Sequence, residues 1–123
     1  MVTLKDIEAA HERIRPHIHR TPVFTNNSLN ELSGAELYFK CDNFQKAGSF
    51  KIRGATNTVE QLTIEELSRG VATTSSGNHG AALSMAVTRR GGKTKVVMPN
   101  NCLLYTSDAA DEGLGVDLGG RRI

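Results

Sequence analysis

The stretch from Val71 to Met98 constrains the fold more than any other part of the chain. Val71-Ala72-Thr73-Thr74 is short and rich in β-branched residues, and reads as a strand. Ser75-Ser76-Gly77-Asn78-His79-Gly80 follows as a loop of small and polar residues. Ala81 to Arg90 reads as a helix of small and apolar residues, stopped by Gly91-Gly92. Lys95-Val96-Val97-Met98 is a second strand, ended by Pro99. Two strands joined through a helix pair in parallel, because the crossover returns the chain to the same end of the sheet. The fold class is therefore α/β, with a small parallel βαβ unit and no internal repeat.

The residues before this unit carry local signals of their own. Thr3 caps a helix with Asp6 facing its dipole, and Leu4, Ile7, Ile14 and Ile18 recur at roughly helical spacing. Pro16 ends or kinks that helix. Thr21-Pro22-Val23 is extended, since a residue before proline avoids the helical region. Ser28 to Ser33 is a short helix closed by Gly34, and Glu36 to Cys41 is a strand candidate. Ala47-Gly48-Ser49 forms a turn, with Ser49 capping a helix that runs to about Leu62. Thr63-Ile64-Glu65-Glu66 is a capping box that opens one more helix.

Composition excludes several classes of function. The net charge is +2, with no basic run interleaved with aromatics, so nucleic acid is not the expected partner. No stretch is long and apolar enough to span a membrane, and the N-terminus lacks the apolar core of a signal peptide. Cys41 and Cys102 suggest neither a disulfide framework nor a zinc site, and His11, His17 and His19 have no Cys or carboxylate at ligand spacing. A cytoplasmic protein is the expectation, with organelle targeting left open.

Two segments carry chemistry. In Ser49-Phe50-Lys51-Ile52-Arg53-Gly54-Ala55 a lysine sits in the first turn of a helix. Lysine attacks carbonyls only when deprotonated, and burial favours that form. Phe50 and Ile52 flank Lys51 and suggest a desolvated amine, although an isolated lysine is ordinarily a solvated one. The loop from Ser75 to Gly80 joins a strand to a helix, so its N–H groups converge on one point suited to a carboxylate or phosphate. Gly77 and Gly80 let the backbone approach a ligand, Asn78 offers an amide, Ser76 a hydroxyl and His79 a donor for a carboxylate. A tight βα turn with a serine cap is the alternative, and spacing alone does not choose between the two.

Together the segments resemble the fold-type II pyridoxal-phosphate (PLP) enzymes, within them the serine racemase and threonine ammonia-lyase group. From about Ile7 to Asn100 the order matches: Thr21-Pro22, Phe39-Lys40-Cys41, Phe44-Gln45-Lys46, the lysine segment and Ser-Ser-Gly-Asn-His-Gly. The resemblance covers most of the chain but about the first third of a typical member. It implies a tryptophan synthase β-like α/β fold, with residues 1–50 belonging to a large PLP domain and 51–101 forming most of a small one. It implies Lys51 as the Schiff-base lysine and acid/base on one face of the substrate Cα, with Ser76 as acid/base on the other. Phe50 would pack near the cofactor ring and Asn78 would bond its ring oxygen, while Ser75, Gly77, Asn78 and His79 would hold the substrate carboxylate. The implied cofactor is pyridoxal 5'-phosphate and the implied substrates are L-serine and L-threonine, in a homodimer. A divalent metal and ATP are compatible with the intact protein. Lys46 matches a nucleotide-contacting position, but Asn26 and Asn27 depart from the serines found beside it. The family's glycine-rich phosphate loop and metal carboxylates would lie beyond Asn101.

After Asn101 the sequence changes character, and residues 102–123 resemble translated sequencing adapter rather than the amphipathic helix expected there. The expectation is therefore an N-terminal fragment, without turnover of its own, of a serine racemase with serine/threonine dehydratase activity. Threonine ammonia-lyase proper is the alternative. A non-catalytic remnant that binds a small anion, and a piece with no function of its own, are the readings from other classes.

Overall fold

A computed structural model describes residues 1–99. The tail 102–123, and the expectation that it is foreign, lie outside the described residues. Helix α1 (Leu4–Ile14) opens on a reciprocal cap: the Asp6 N–H donates to Thr3 Oγ1 at 3.3 Å, and the Thr3 N–H donates to the Asp6 carboxylate at 2.8 Å. A 3-10 turn over Arg15–His17 follows, where Pro16 has no N–H to extend the ladder. Of the apolar face expected on α1, Ile14 is buried while Leu4 and Ile7 are exposed. Near this end of the helix Arg13 donates to Asn57 Oδ1 at 2.5 Å.

Strand β1 (Val23–Phe24) pairs antiparallel with β2 (Phe39–Lys40). The strand expected over Glu36 to Cys41 shrinks to two residues, because β1 offers partners for only two. Between the strands, α2 (Asn27–Ser33) is capped by the Asn26 side chain and ends on Gly34 at φ 67, the left-handed conformation that glycine tolerates. Helices α3 (Lys51–Glu60) and α4 (Ile64–Ser68) come next, α4 with the expected Thr63/Glu66 capping box. Then β3 (Val71–Thr74), α5 (Asn78–Arg89) and β4 (Thr94–Val97) form the predicted crossover. β3 and β4 run parallel in the register Val71↔Thr94 to Thr74↔Val97.

The core lies between α3, α4 and α5. Ile52, Ala55 and Val59 line the inner face of α3 at helical spacing. Ala82, Leu83, Ala86 and Val87 face them from α5, and Leu67 closes the end from α4. Gly92 lets the chain turn past this end: a Cβ there would stand 2.7 Å from Leu67 Cδ1 and 2.8 Å from Val87 Cγ1. No helix among the described residues is long and apolar enough to cross a membrane.

Candidate active site

The lysine helix emerges from a strained turn. Ala47 holds φ 59, a left-handed conformation that costs an L-residue about 1–2 kcal/mol. Buried Gln45 braces this turn: its Oε1 accepts from the N–H groups of His19 at 2.8 Å and Lys46 at 2.9 Å, and its Nε2 donates to His19 O at 2.7 Å. Lys46 is thus anchored through its backbone beside Gln45 and is not a wall of the cleft described below.

Ser49 does not cap α3, contrary to expectation. The N-cap is Phe50, which makes no side-chain capping bond. Ser49 lies one residue too early to reach the helix N–H groups, and its buried Oγ has no hydrogen-bond partner among the described residues. Lys51 is exposed, with its amine 5.0 Å from the centroid of the Phe50 ring. Among the described residues the flanking apolar side chains therefore do not bury Lys51 as expected. Ile52 enters the core at 2% exposure, but Phe50 stays 61% exposed.

A cleft of about 610 Å³ separates the start of α3 from β3 and the start of α5. Phe50, Lys51, Arg53 and His79 are among its walls, with β3 contributing Val71 to Thr73. Ser75, Ser76, Gly77 and Asn78 are not. The structure thus brings Phe50, Lys51 and His79 to one space, and leaves the rest of the expected loop set outside its walls.

The loop is shorter than expected, because α5 already begins at Asn78. Ser75 is its organiser: its Oγ accepts from the N–H of Gly77 at 3.3 Å and of Gly80 at 3.0 Å. A Cβ at Gly80 would come within 3.1 Å of Val96 Cγ1, so glycine is needed for close packing on β4. Gly77 is extended at φ −163, and a Cβ there would meet nothing within 4 Å. Its role is open space rather than unusual backbone. The N–H groups of Asn78 and His79 open helix α5. These are first-turn donors at the positive end of a 12-residue helix, a fitting seat for a carboxylate.

Sequence reasoning missed one group of the site. Asp42 is gripped by Arg53, whose Nε donates to Oδ2 at 2.7 Å and Nη2 to Oδ1 at 2.8 Å. Thr21 Oγ1 also donates to Oδ1, at 2.6 Å. The Arg53 hydrogen bonds hold the Asp42 carboxyl down at about 2 against the cost of burial, with Thr21 adding to the effect. The only signal in the sequence is an arginine two residues after Lys51, which is weak.

The residues suit an aromatic aldehyde that carries an amino acid. An accessible amine stands beside an aromatic face, and His79 lines the same cleft from the start of α5. Comparison with known proteins agrees. A serine racemase of Dictyostelium discoideum is 61% identical over 100 residues, 81% of this chain and 31% of that protein. A beta-hydroxyaspartate dehydratase of Paracoccus denitrificans (strain Pd 1222) is 58% identical over 97 residues, 79% of this chain and 31% of that protein. The crystal structure of the T.th. threonine deaminase superposes with a TM-score of 0.78 at 38% identity, covering 90% of this chain and 34% of that one. The chain thus spans about a third of the length of the curated relatives it matches. Its α/β architecture is that of the fold-type II enzymes, and the profile of the family "Pyridoxal-phosphate dependent enzyme" matches residues 14–112, past Asn101. Lysine cleft, crossover and sequence lead to one conclusion: this chain belongs to the pyridoxal-phosphate dependent enzyme family.

Proposed function

We propose that the protein to which this chain corresponds is a PLP-dependent serine racemase that also dehydrates L-serine and L-threonine. The observation that carries the reading is the meeting of Lys51 from α3 with His79 from α5 at one cleft. When bound, the cofactor draws electrons from the substrate Cα and makes its hydrogen labile. Lys51 holds the cofactor through its amine and moves the Cα proton on one face. Ser76 serves the opposite face, which racemisation needs and elimination does not. Phe50 packs by the cofactor ring, and Asn78 donates to the ring oxygen. Ser75, Gly77, Asn78 and His79 hold the substrate carboxylate, aided by the helix dipole of α5. In the same reading residues 1–50 belong to the large domain and 51–101 to the small one. The Asp42–Arg53 and Arg13–Asn57 bonds tie the two parts together. A homodimer and a cytoplasmic location complete the proposal; a divalent metal and ATP are compatible with the intact protein, although Asn26 and Asn27 depart from the nucleotide-contacting pattern that Lys46 matches.

Threonine ammonia-lyase is the runner-up, supported by the superposition on a threonine deaminase at 38% identity. The exposure of Lys51, Ser76, Asn78 and His79 supports a further expectation. The 123-residue chain alone binds PLP weakly and turns nothing over; D-serine or pyruvate formed by it would refute this. The main test uses the protein expressed from its source transcript, read through past the codon for Asn101. With L-serine it should form both D-serine and pyruvate. Ser76→Ala should abolish the D-serine and spare the pyruvate. Pyruvate without D-serine in the unmodified protein would move the assignment to the ammonia-lyase. Binding of an amino acid or phosphate in the absence of PLP, with no turnover in its presence, would favour the anion-binding remnant.

A further inference from the structure

We propose that Asp42, acting through Arg53, is the positioning residue that fixes Lys51 at the cleft. The inference rests on the PLP reading of Lys51 and deepens it.

Helices α1, α2 and α4 are each capped by a side chain, from Thr3, Asn26 and Thr63. α3, the helix that bears the lysine, is not, and neither is α5: Phe50 makes no capping bond, and the Ser49 hydroxyl has no partner among the described residues. An uncapped first turn frays readily, because its N–H groups gain nothing from staying in place. Lys51 is the first residue of that turn.

A tertiary clamp stands where the cap is missing. Arg53 lies two residues after Lys51 in the same turn and lines the same cleft. Both arms of its guanidinium end on Asp42, a planar two-bond fit that resists rotation of the helix. Asp42 is itself held by the Thr21 hydroxyl, and Lys40 donates to the Thr21 carbonyl at 2.7 Å. The pair is shielded, with side chains 27% exposed for Arg53 and 17% for Asp42, so water competes less than at an open surface. Through this relay the loop between β2 and α3, together with the segment before β1, sets the helix start. The amine of Lys51 is left free for the ligand.

The experiment uses the 123-residue chain and PLP itself. The chain is mixed with PLP, reduced with borohydride, and its peptides are weighed to find which lysine carries the pyridoxyl group. Amide hydrogen exchange at Arg53, whose N–H donates to Phe50 O at 3.0 Å, reports the order of the first turn independently of the cofactor. In the unmodified chain Lys51 should be labelled in preference to Lys46. In Asp42→Asn and Arg53→Lys that preference should fall by about tenfold or more. The Arg53 amide should then exchange faster, while amides of α5 stay protected. A merely structural pair would lower the melting temperature and leave the preference for Lys51 untouched, and that result overturns the proposal. If Asp42→Asn does not fold, Thr21→Val removes one of the carboxylate's hydrogen bonds and is judged by the same preference. If the unmodified chain shows no preference for Lys51, the fragment alone does not seat the cofactor. The clamp is then decided by exchange alone: faster exchange at Arg53 in the variant upholds it, and unchanged exchange overturns it.

Discussion

Asp42 makes the stability of this chain acid-sensitive in a way that one substitution isolates. Its carboxyl is held at about 2 in the folded protein, against an ordinary 3.8, chiefly by the hydrogen bonds from Arg53. A carboxyl whose folded value is depressed stabilises the fold above its unfolded value, and that contribution is lost as pH falls through the folded one. The drop corresponds to roughly 2 kcal/mol, present in full above about pH 5 and lost progressively between about pH 4 and pH 2. The side chain is 17% exposed, so solvent screening takes only part of this. Asp42→Asn keeps the shape, cannot titrate and cannot accept two charge-assisted bonds. Urea melts of both proteins at steps from about pH 6 to about pH 2 should therefore give curves that converge. After that screening the variant should be weaker by roughly 1–2 kcal/mol at neutral pH and nearly equal to the unmodified chain at the acid end. Asp6, Glu60 and Glu66 also have lowered values, but they titrate alike in both proteins and cancel in the difference. A stability difference that stays constant across that range would refute the reasoning, since the Asp42 charge would then contribute nothing.

Three further outcomes follow from the packing. Gly92→Ala places a methyl group 2.7 Å from Leu67 Cδ1 and should destabilise the chain by about 1–3 kcal/mol, read by thermal melting followed by circular dichroism. Gly54→Ala is its opposite: the position is exposed in α3 with nothing within 4 Å of the new Cβ, so stability should rise by about 0.5–1 kcal/mol in the same melt. Thr63→Ala removes the side-chain bonds of the α4 capping box made through Oγ1, at 3.1 Å and 3.0 Å, and should cost about 1 kcal/mol in a denaturant titration.

The parts of the fold that can be read in advance are those whose cause is local. The Thr3/Asp6 and Thr63/Glu66 boxes need only four consecutive residues, and Gly34 needs only its own φ. The crossover is readable because two β-branched runs with a helix between them admit one pairing. What fails depends on partners or on helix phase. The strand expected over Glu36 to Cys41 is as long as its partner allows and no longer. Sequence places the start of α5 at Ala81 because Asn78 and His79 are polar. A first helical turn accepts polar residues readily, as its N–H groups face outward in any case. The Asp42–Arg53 pair joins residues eleven positions apart across two segments, and no periodicity announces such a contact.

The surroundings of Lys51 differ from expectation for a reason rooted in helix geometry. Phe50 and Ile52 flank the lysine in sequence, which suggests an apolar pocket around its amine. In a helix, however, successive side chains diverge by about 100° around the axis, so sequence neighbours do not surround one another. Ile52 turns into the core with Ala55 and Val59, and cannot shield a side chain one step before it. Phe50 remains near the amine, 5.0 Å away, but as one open face rather than an enclosure. Shielding for this lysine must come from across the cleft, from whatever packs over Phe50 and faces β3. A planar aromatic ligand seated there would supply it, covering both the exposed ring and the amine in one step. The exposed amine and the exposed phenyl group are thus two aspects of a single half-built surface. Arg53 borders that surface as a wall of the cleft, with its guanidinium held by Asp42.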